Sequence, residues 1–137
     1  MTTFGMRKPL DATYEEALQR VPEALKSEGF GVLTTIDLQS TLKAKLGLDS
    51  PPQRLLGLCS PRIAHALVSA EPDIAALLPC GGSIAEPTPG RTRIVLQDPR
   101  VILQASGSTQ AEVRDALEQA RTAVQRVAQR LGAGQEA

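Results

Sequence analysis

The sequence predicts an α+β fold of two layers, in which one sheet is covered by helices on one face. Three observations predict it. The chain of 137 residues has the size of a single domain. Segments with strand and helix patterns follow one another in the order β-α-β-α-β-α-β-β-α. Each predicted helix carries one apolar stripe, which requires one sheet beneath one layer of helices. We therefore expect residues 1–137 to form one domain, with 133–137 as a frayed tail.

The first half of the chain contains two strand–helix pairs, which we place at residues 2–8 (strand), 13–29 (helix), 30–36 (strand) and 38–46 (helix). Thr13 and Glu16 have the spacing of a capping box, which favours a helix start. Pro22 removes one backbone donor inside this helix and predicts a kink within one continuous helix. Asp37 can cap the second helix, and Gly47 is a natural stop for it.

The second half contains more strands, and we place its segments at 54–59 (strand), 61–70 (helix), 73–78 (ambiguous), 82–86 and 91–97 (strands), 98–103 (helical turn) and 109–131 (helix). Ser60 is the predicted N-cap of the third helix, with Pro61 at its first position. Residues 87–90, with the sequence PTPG, predict a hairpin loop. Thr109 and Glu112 have the spacing of a second capping box.

Composition argues against two classes of partner. Lysine plus arginine (15) balances aspartate plus glutamate (15), and aromatic residues make up 2%. Non-specific nucleic-acid binding requires excess positive charge or aromatic stacking platforms. No segment has the pattern of a signal peptide, and no apolar run approaches the roughly 20 residues that span a bilayer. We therefore expect a cytoplasmic protein with reduced cysteines and no nucleic-acid or membrane partner.

Residues 57–82 form the candidate site, because they contain both cysteines and the only histidine. Each cysteine lies near a proline that fixes the direction of the backbone. The predicted ligand-binding residues are Cys59, Cys80, Gly81 and Gly82. Soft thiolates suit zinc, copper(I) or an iron centre, and His65 is a candidate third ligand.

Three functions remain open at this point. The first is a homodimeric binding module that holds a small molecule or a soft metal ion near Cys59 and Cys80. The second is a thiol enzyme, in which Cys59 precedes a helix start whose free N–H groups favour a thiolate. The third is a structural or regulatory protein-interaction domain, in which both thiols pack in the core as small hydrophobes. The sequence identifies no cofactor.

Each of the other charged residues has a structural interpretation as well as a functional one. Glu71 and Asp73 can act as an acid pair or belong to a solvated turn. Arg91 and Arg93 point to one face of a strand, which is a solvated face or a place for an anion. Asp98 is a helix cap first and a ligand second.

Three segments resemble a known family: EGFGVLTTIDLQSTLKAKLGLD, PPQRLLGLCSP and AEPDIAALLPC. Together they are similar to the bacterial and archaeal family called domain of unknown function 302, over roughly residues 3–105. The resemblance implies a small cytosolic α+β domain, dimeric in some members, without an established activity. Ser60 and Gly81 stand where the family commonly has asparagine, so any ligand of those amides would be bound differently here or not at all. An exposed apolar sheet face also predicts a homodimer.

Overall fold

The computed structural model describes residues 4–132 and contains one five-stranded sheet with five α-helices. The strands are β1 (Gly5–Leu10), β2 (Gly31–Asp37), β3 (Gln53–Cys59), β4 (Cys80–Thr88) and β5 (Arg91–Gln97). The helices are α1 (Tyr14–Ser27), α2 (Leu38–Leu46), α3 (Pro61–Ala70), α4 (Arg100–Ser106) and α5 (Ala111–Leu131), with a 3-10 helix at Pro72–Leu77. This is the α+β fold that the sequence predicts. The predicted tail 133–137 and the first predicted strand residues, 2–3, lie outside the described part.

The sheet has the order β1-β5-β4-β3-β2, and every neighbouring pair is antiparallel. Side chains alternate between its two faces. On the inner face the apolar residues of the strands pack against α1 and α5. This main core contains Met6, Leu10, Leu56, Leu58, Ile84, Ile94 and Leu96 from the strands, and Ala17, Val21, Leu25, Val124 and Val127 from the helices.

A second, smaller core lies between helices. It joins α3, the 3-10 helix, α4 and the first half of α5, and its buried members are Leu67, Ile74, Ile102, Val113, Ala116 and Leu117. Ile63 and Cys80 pack against both cores. The segment around the candidate site is therefore the place where the two cores meet.

The outer face of the sheet has a row of residues that runs across all five strands. The strand register places Arg7, Val95, Ser83, Leu55 and Ile36 side by side in this row. Ile36 is 46% exposed and Val95 is half-buried. We refer to this row as the outer-face row.

Local signals near the N-terminus place the first two helices as predicted. The Glu16 amide donates to Thr13 Oγ1 at 3.0 Å, and the Thr13 amide donates to Glu16 Oε1 at 2.8 Å, which completes the capping box. Pro22 lies inside one continuous helix. The Ser40 amide donates to Asp37 Oδ1 at 3.1 Å, so Asp37 caps α2.

The second predicted capping box is wrong. Helix α5 begins at Ala111 after Gln110, and no side chain caps it. The reason is a contact between distant parts of the chain. Ser108 Oγ and Gln110 Nε2 donate to Glu71 Oε1 at 3.1 and 2.9 Å, and Gln110 Nε2 also donates to the Ala70 carbonyl at 2.8 Å. These bonds hold the loop before α5 against the end of α3, so Thr109 does not occupy the N-cap.

Gly57 is required because two rigid groups lie over it. A Cβ at this position would lie 2.6 Å from Thr34 Cγ2 and 3.0 Å from Pro79 Cγ. Neither a β-branched side chain nor a proline ring can move away easily. Gly81, which faces Gly57 on the neighbouring strand, would place a Cβ in open space.

We expect Gly57→Ala to destabilise the protein by about 1–3 kcal/mol, the usual cost of overpacking. Gly81→Ala is the matched control, since it makes the same change in the paired position, and its effect should stay within about 0.5 kcal/mol. Denaturant unfolding of both variants measures the difference. Equal stability of the two variants would contradict the packing argument.

Candidate thiol site

The pairing of β3 with β4 brings the two cysteines together. Cys59 is the last residue of β3, and Cys80 is the first residue of β4. Leu58 faces Cys80 across this antiparallel pair, so Cys59 lies one residue beyond the partner of Cys80. The sequence predicts that this strand begins at residue 82. In the structure β4 begins at Cys80 and therefore includes that cysteine.

Both cysteines line one small cavity beneath α3. Its volume is about 20 Å³, which is the space of one water-sized atom. Apart from the two thiols and Ser60, the lining is apolar. It contains Phe30, Leu58, Ile63, Ala64, Leu67, Leu78, Pro79, Leu117 and Ala120. The cavity therefore has room for a single ion or water molecule beside the two cysteines.

Burial controls the protonation of Cys80. Both cysteines are free and half-buried. Desolvation, followed by the charge of the neighbouring Cys59, raises the pKa of Cys80 to about 11. At neutral pH Cys80 is therefore a protonated thiol, and anything that binds its thiolate must displace a proton.

The start of α3 lies beside Cys59. Ser60 is at the N-cap and Pro61 at the first helical position, as the sequence predicts. The Ser60 side chain makes no capping hydrogen bond. Arg62, at the next position, is exposed. Cys59 thus adjoins the positive end of a ten-residue helix without a side-chain cap.

His65 lies apart from the thiols. It is exposed on α3, and its Nδ1 lies 3.5 Å from Ser69 Oγ. Within residues 4–132, no three histidine, cysteine, aspartate or glutamate side chains are grouped closely enough to hold a metal ion. Of the predicted metal ligands, Cys59 and Cys80 line the cavity and His65 does not.

The two glycines after Cys80 do not line the thiol cavity. They line a separate shallow hollow of about 260 Å³ together with Phe4, Ser83, Val95 and Gln97. Gly82 has a packing role, because a Cβ there would lie 3.4 Å from both Leu58 Cδ1 and Leu96 Cδ2. Gly81 has open space above it.

Among the other candidates, Glu71 holds the loop before α5, and Asp73 is exposed in the 3-10 helix. Asp98 is buried at the end of β5, where it accepts hydrogen bonds from Arg100. A cluster of cations around Asp98 lies outside the residues that the sequence predicts as a site. No local signal could have revealed it, since its members Arg7 and Arg121 are far apart in the chain and only the fold brings them together.

Comparison with known proteins identifies the family. A family model described as domain of unknown function DUF302 matches residues 6–131, and the chain belongs to this family. The resemblance that three sequence segments suggest is thereby confirmed. No curated protein matches the chain.

A solved structure has the same fold. It is the crystal structure of the uncharacterized conserved protein DUF302 from Bacillus stearothermophilus, with a TM-score of 0.84 and 24% sequence identity. The match covers 95% of this chain and 99% of the other. At that identity the likeness supports the fold alone. In the part from Phe4 to Gly132, no helix has the length and apolar character needed to cross a membrane.

The raised pKa of Cys80 predicts slow alkylation. In a Cys59→Ser variant, where Cys80 is the only thiol, iodoacetamide should react far more slowly at pH 8 than with a free cysteine, because little thiolate is present. The rate should rise toward pH 11. The same variant in denaturant is the control and should react like free cysteine, near pH 8.5. Equal rates in the folded and unfolded states would contradict the burial of this thiol.

Proposed function

We propose that this chain is a homodimeric, cytoplasmic binding module whose Cys59–Cys80 pair holds one soft metal ion, copper(I) being the best match. The observation that carries the proposal is the pair of free thiols on one small apolar cavity.

Size favours an ion over an organic molecule. Pockets for small organic ligands have volumes of about 300–1,000 Å³. The cavity beside Cys59 and Cys80 has about 20 Å³. It is also lined almost wholly by apolar side chains, which offer an organic ligand few polar contacts. A single ion coordinated by sulfur needs only the two thiolates.

The number of donors favours copper(I) over zinc. Structural zinc sites use four protein ligands, and catalytic zinc sites use three. Cys59 and Cys80 supply two, and His65 lies away from them on the helix surface. Copper(I) is a soft ion that prefers thiolates and is stable with two of them. The half-buried, apolar surroundings also restrict access by water.

Protons link metal binding to pH. Coordination by Cys80 releases the proton of a thiol whose pKa is raised to about 11. Binding therefore competes with protonation, and the affinity must increase as pH rises through the neutral range.

Copper(I) titration against a chromogenic chelator, in the presence of a reductant, tests the proposal. The wild-type protein should take one copper(I) per chain, with higher affinity at pH 8 than at pH 6. Cys59→Ser and Cys80→Ser should each lose the bound ion. His65→Ala is the control and should bind like wild type, because His65 is not in the cavity. Equal copper content in wild type and Cys59→Ser would refute the proposal, provided that circular dichroism shows both to be folded.

A thiol enzyme that uses Cys59 is the second candidate. One observation favours it: Cys59 adjoins the start of α3, where the Ser60 side chain makes no capping hydrogen bond. Alkylation of Cys59 in a Cys80→Ser variant, over a pH series, tests this candidate. Reaction at pH 6 as fast as at pH 8 would support it, and the pH profile of free cysteine would remove it.

The outer face of the sheet supports the homodimer. Ile36 and Leu55 of the outer-face row are apolar residues on β2 and β3, and Val95 on β5 is a further one beyond Ser83. Phe4, which is 57% exposed, lines the hollow next to Val95. A second copy placed on this face would cover these apolar side chains.

We expect the protein to sediment as a dimer, and Ile36→Lys to shift it to the monomer by placing a charge in the covered row. The control is Leu77→Lys, which places the same charge at an exposed leucine of the 3-10 helix. Analytical ultracentrifugation at several protein concentrations measures both. A monomeric wild type, or the same behaviour in the two variants, would overturn this interface.

A further inference from the structure

We propose that a second site, remote from the thiols, binds a phosphate group, either as inorganic phosphate or on a small phosphomonoester. The site is a cleft of about 270 Å³ between β1, the start of α4 and the middle of α5. Its charged lining residues are Arg7, Lys8, Asp98, Arg100 and Arg121, and we refer to it as the cationic cleft. It shares no lining residue with the thiol cavity.

Three elements bring these residues together. Arg7 and Lys8 lie on the edge strand β1, which pairs with β5. Asp98 and Arg100 follow directly after β5. Arg121 projects from α5, which packs against both β1 and α4. The cleft is therefore built on paired strands and a long helix, which hold its side chains in fixed positions.

Positive charge exceeds negative charge in the cationic cleft. Lys8, Arg100 and Arg121 bring three positive charges to it, and Arg7 borders it from the edge strand. Asp98 is the one carboxylate in that lining. Glu118 on α5 is a further carboxylate whose charge acts on Arg100, but it lies outside the lining. In the region from residue 4 to 132, neither Arg7 nor Lys8 takes part in an ion pair.

Asp98 is already occupied by Arg100. Its Oδ1 accepts the Arg100 amide at 3.0 Å, and its Oδ2 accepts Arg100 Nη2 at 2.8 Å and Nε at 3.1 Å. Burial raises the pKa of Asp98, but these bonds and the charges of Arg100 and Arg121 lower it more, so the pKa lies below its usual value. The carboxylate is charged at neutral pH, yet its hydrogen-bonding capacity is directed to Arg100.

Arg121 therefore has N–H donors that make no hydrogen bond to Asp98. Its Nε forms an ion pair with Asp98 Oδ1 at 3.6 Å, too far for a hydrogen bond, and this buried nitrogen has no hydrogen-bond partner among the described residues. A buried donor without a hydrogen bond is costly, and the Arg121 side chain, 26% exposed, can be reached by an anion in the cleft. This unsatisfied donor is the strongest sign that the cleft accepts a ligand.

The chemistry of the lining matches a phosphate. Guanidinium groups present paired donors that fit the oxygens of phosphate, and Lys8 adds a point charge. The amides of Gln125 and Gln129 supply neutral donors beside them. The volume, about 270 Å³, is near the lower end of small-molecule pockets, so a phosphate with a short organic group fits.

Nuclear magnetic resonance titration of the full chain with inorganic phosphate, and separately with glycerol phosphate, tests the proposal. Wild type should show saturable shifts of the Arg7 and Lys8 amides and of the Arg121 side-chain N–H. Sodium chloride at matched ionic strength should not produce them. A tighter response to glycerol phosphate would identify the ester as the ligand, and equal affinity would identify the free anion.

Variants show whether the cleft residues are responsible. Arg121→Gln should weaken phosphate binding at least tenfold. Arg126→Gln is the matched control, because Arg126 lies on the same helix but pairs with Glu28 outside the cleft, and it should bind like wild type. If Arg121→Gln does not fold, Lys8→Gln decides, since Lys8 lies on the face of β1 toward α5 and should also weaken binding. Matching shifts with sodium chloride, or equal binding by the cleft variants and Arg126→Gln, would overturn the proposal.

Discussion

The antiparallel pairing of β3 with β4 is the constraint on which the core and the thiol site both depend. It directs Leu56 and Leu58 into the main core, opposite Gly82 and Cys80. A slip of one residue would turn these leucines to the outer face. The same register fixes where the two cysteines lie, because Cys59 ends β3 one residue beyond Leu58, the partner of Cys80. Stability and the candidate chemistry are thus set by one register.

Local signals allowed much of the fold to be predicted from sequence. The Thr13 capping box and the Asp37 cap involve groups three residues apart, so a short window contains the whole interaction. The start of α5 could not be predicted in this way. It is fixed by Glu71, 37 residues before Ser108, whose bonds to the loop remove Thr109 from the N-cap.

The two candidate sites also differ in how far the sequence predicts them. A proline near each cysteine indicates a candidate site in the sequence. Their position near strand ends is consistent with the cavity that both residues line. The cationic cleft could not be predicted from the sequence, because Arg7 and Arg121 become neighbours only when α5 packs on β1. Membership of the DUF302 family supports the fold. The chemistry of the protein has to be inferred from the side chains of the thiol cavity and the cationic cleft.

The two edge strands of the sheet, β1 and β2, differ in the residues that they expose. On β1, Arg7, Lys8 and Pro9 supply charge and a missing amide hydrogen, devices by which natural proteins discourage foreign strands from joining a sheet. On β2, Leu33 and Ile36 are exposed and flank two threonines, without a charge between them. The β2 edge therefore has fewer features that oppose pairing with a strand of another molecule than the β1 edge has.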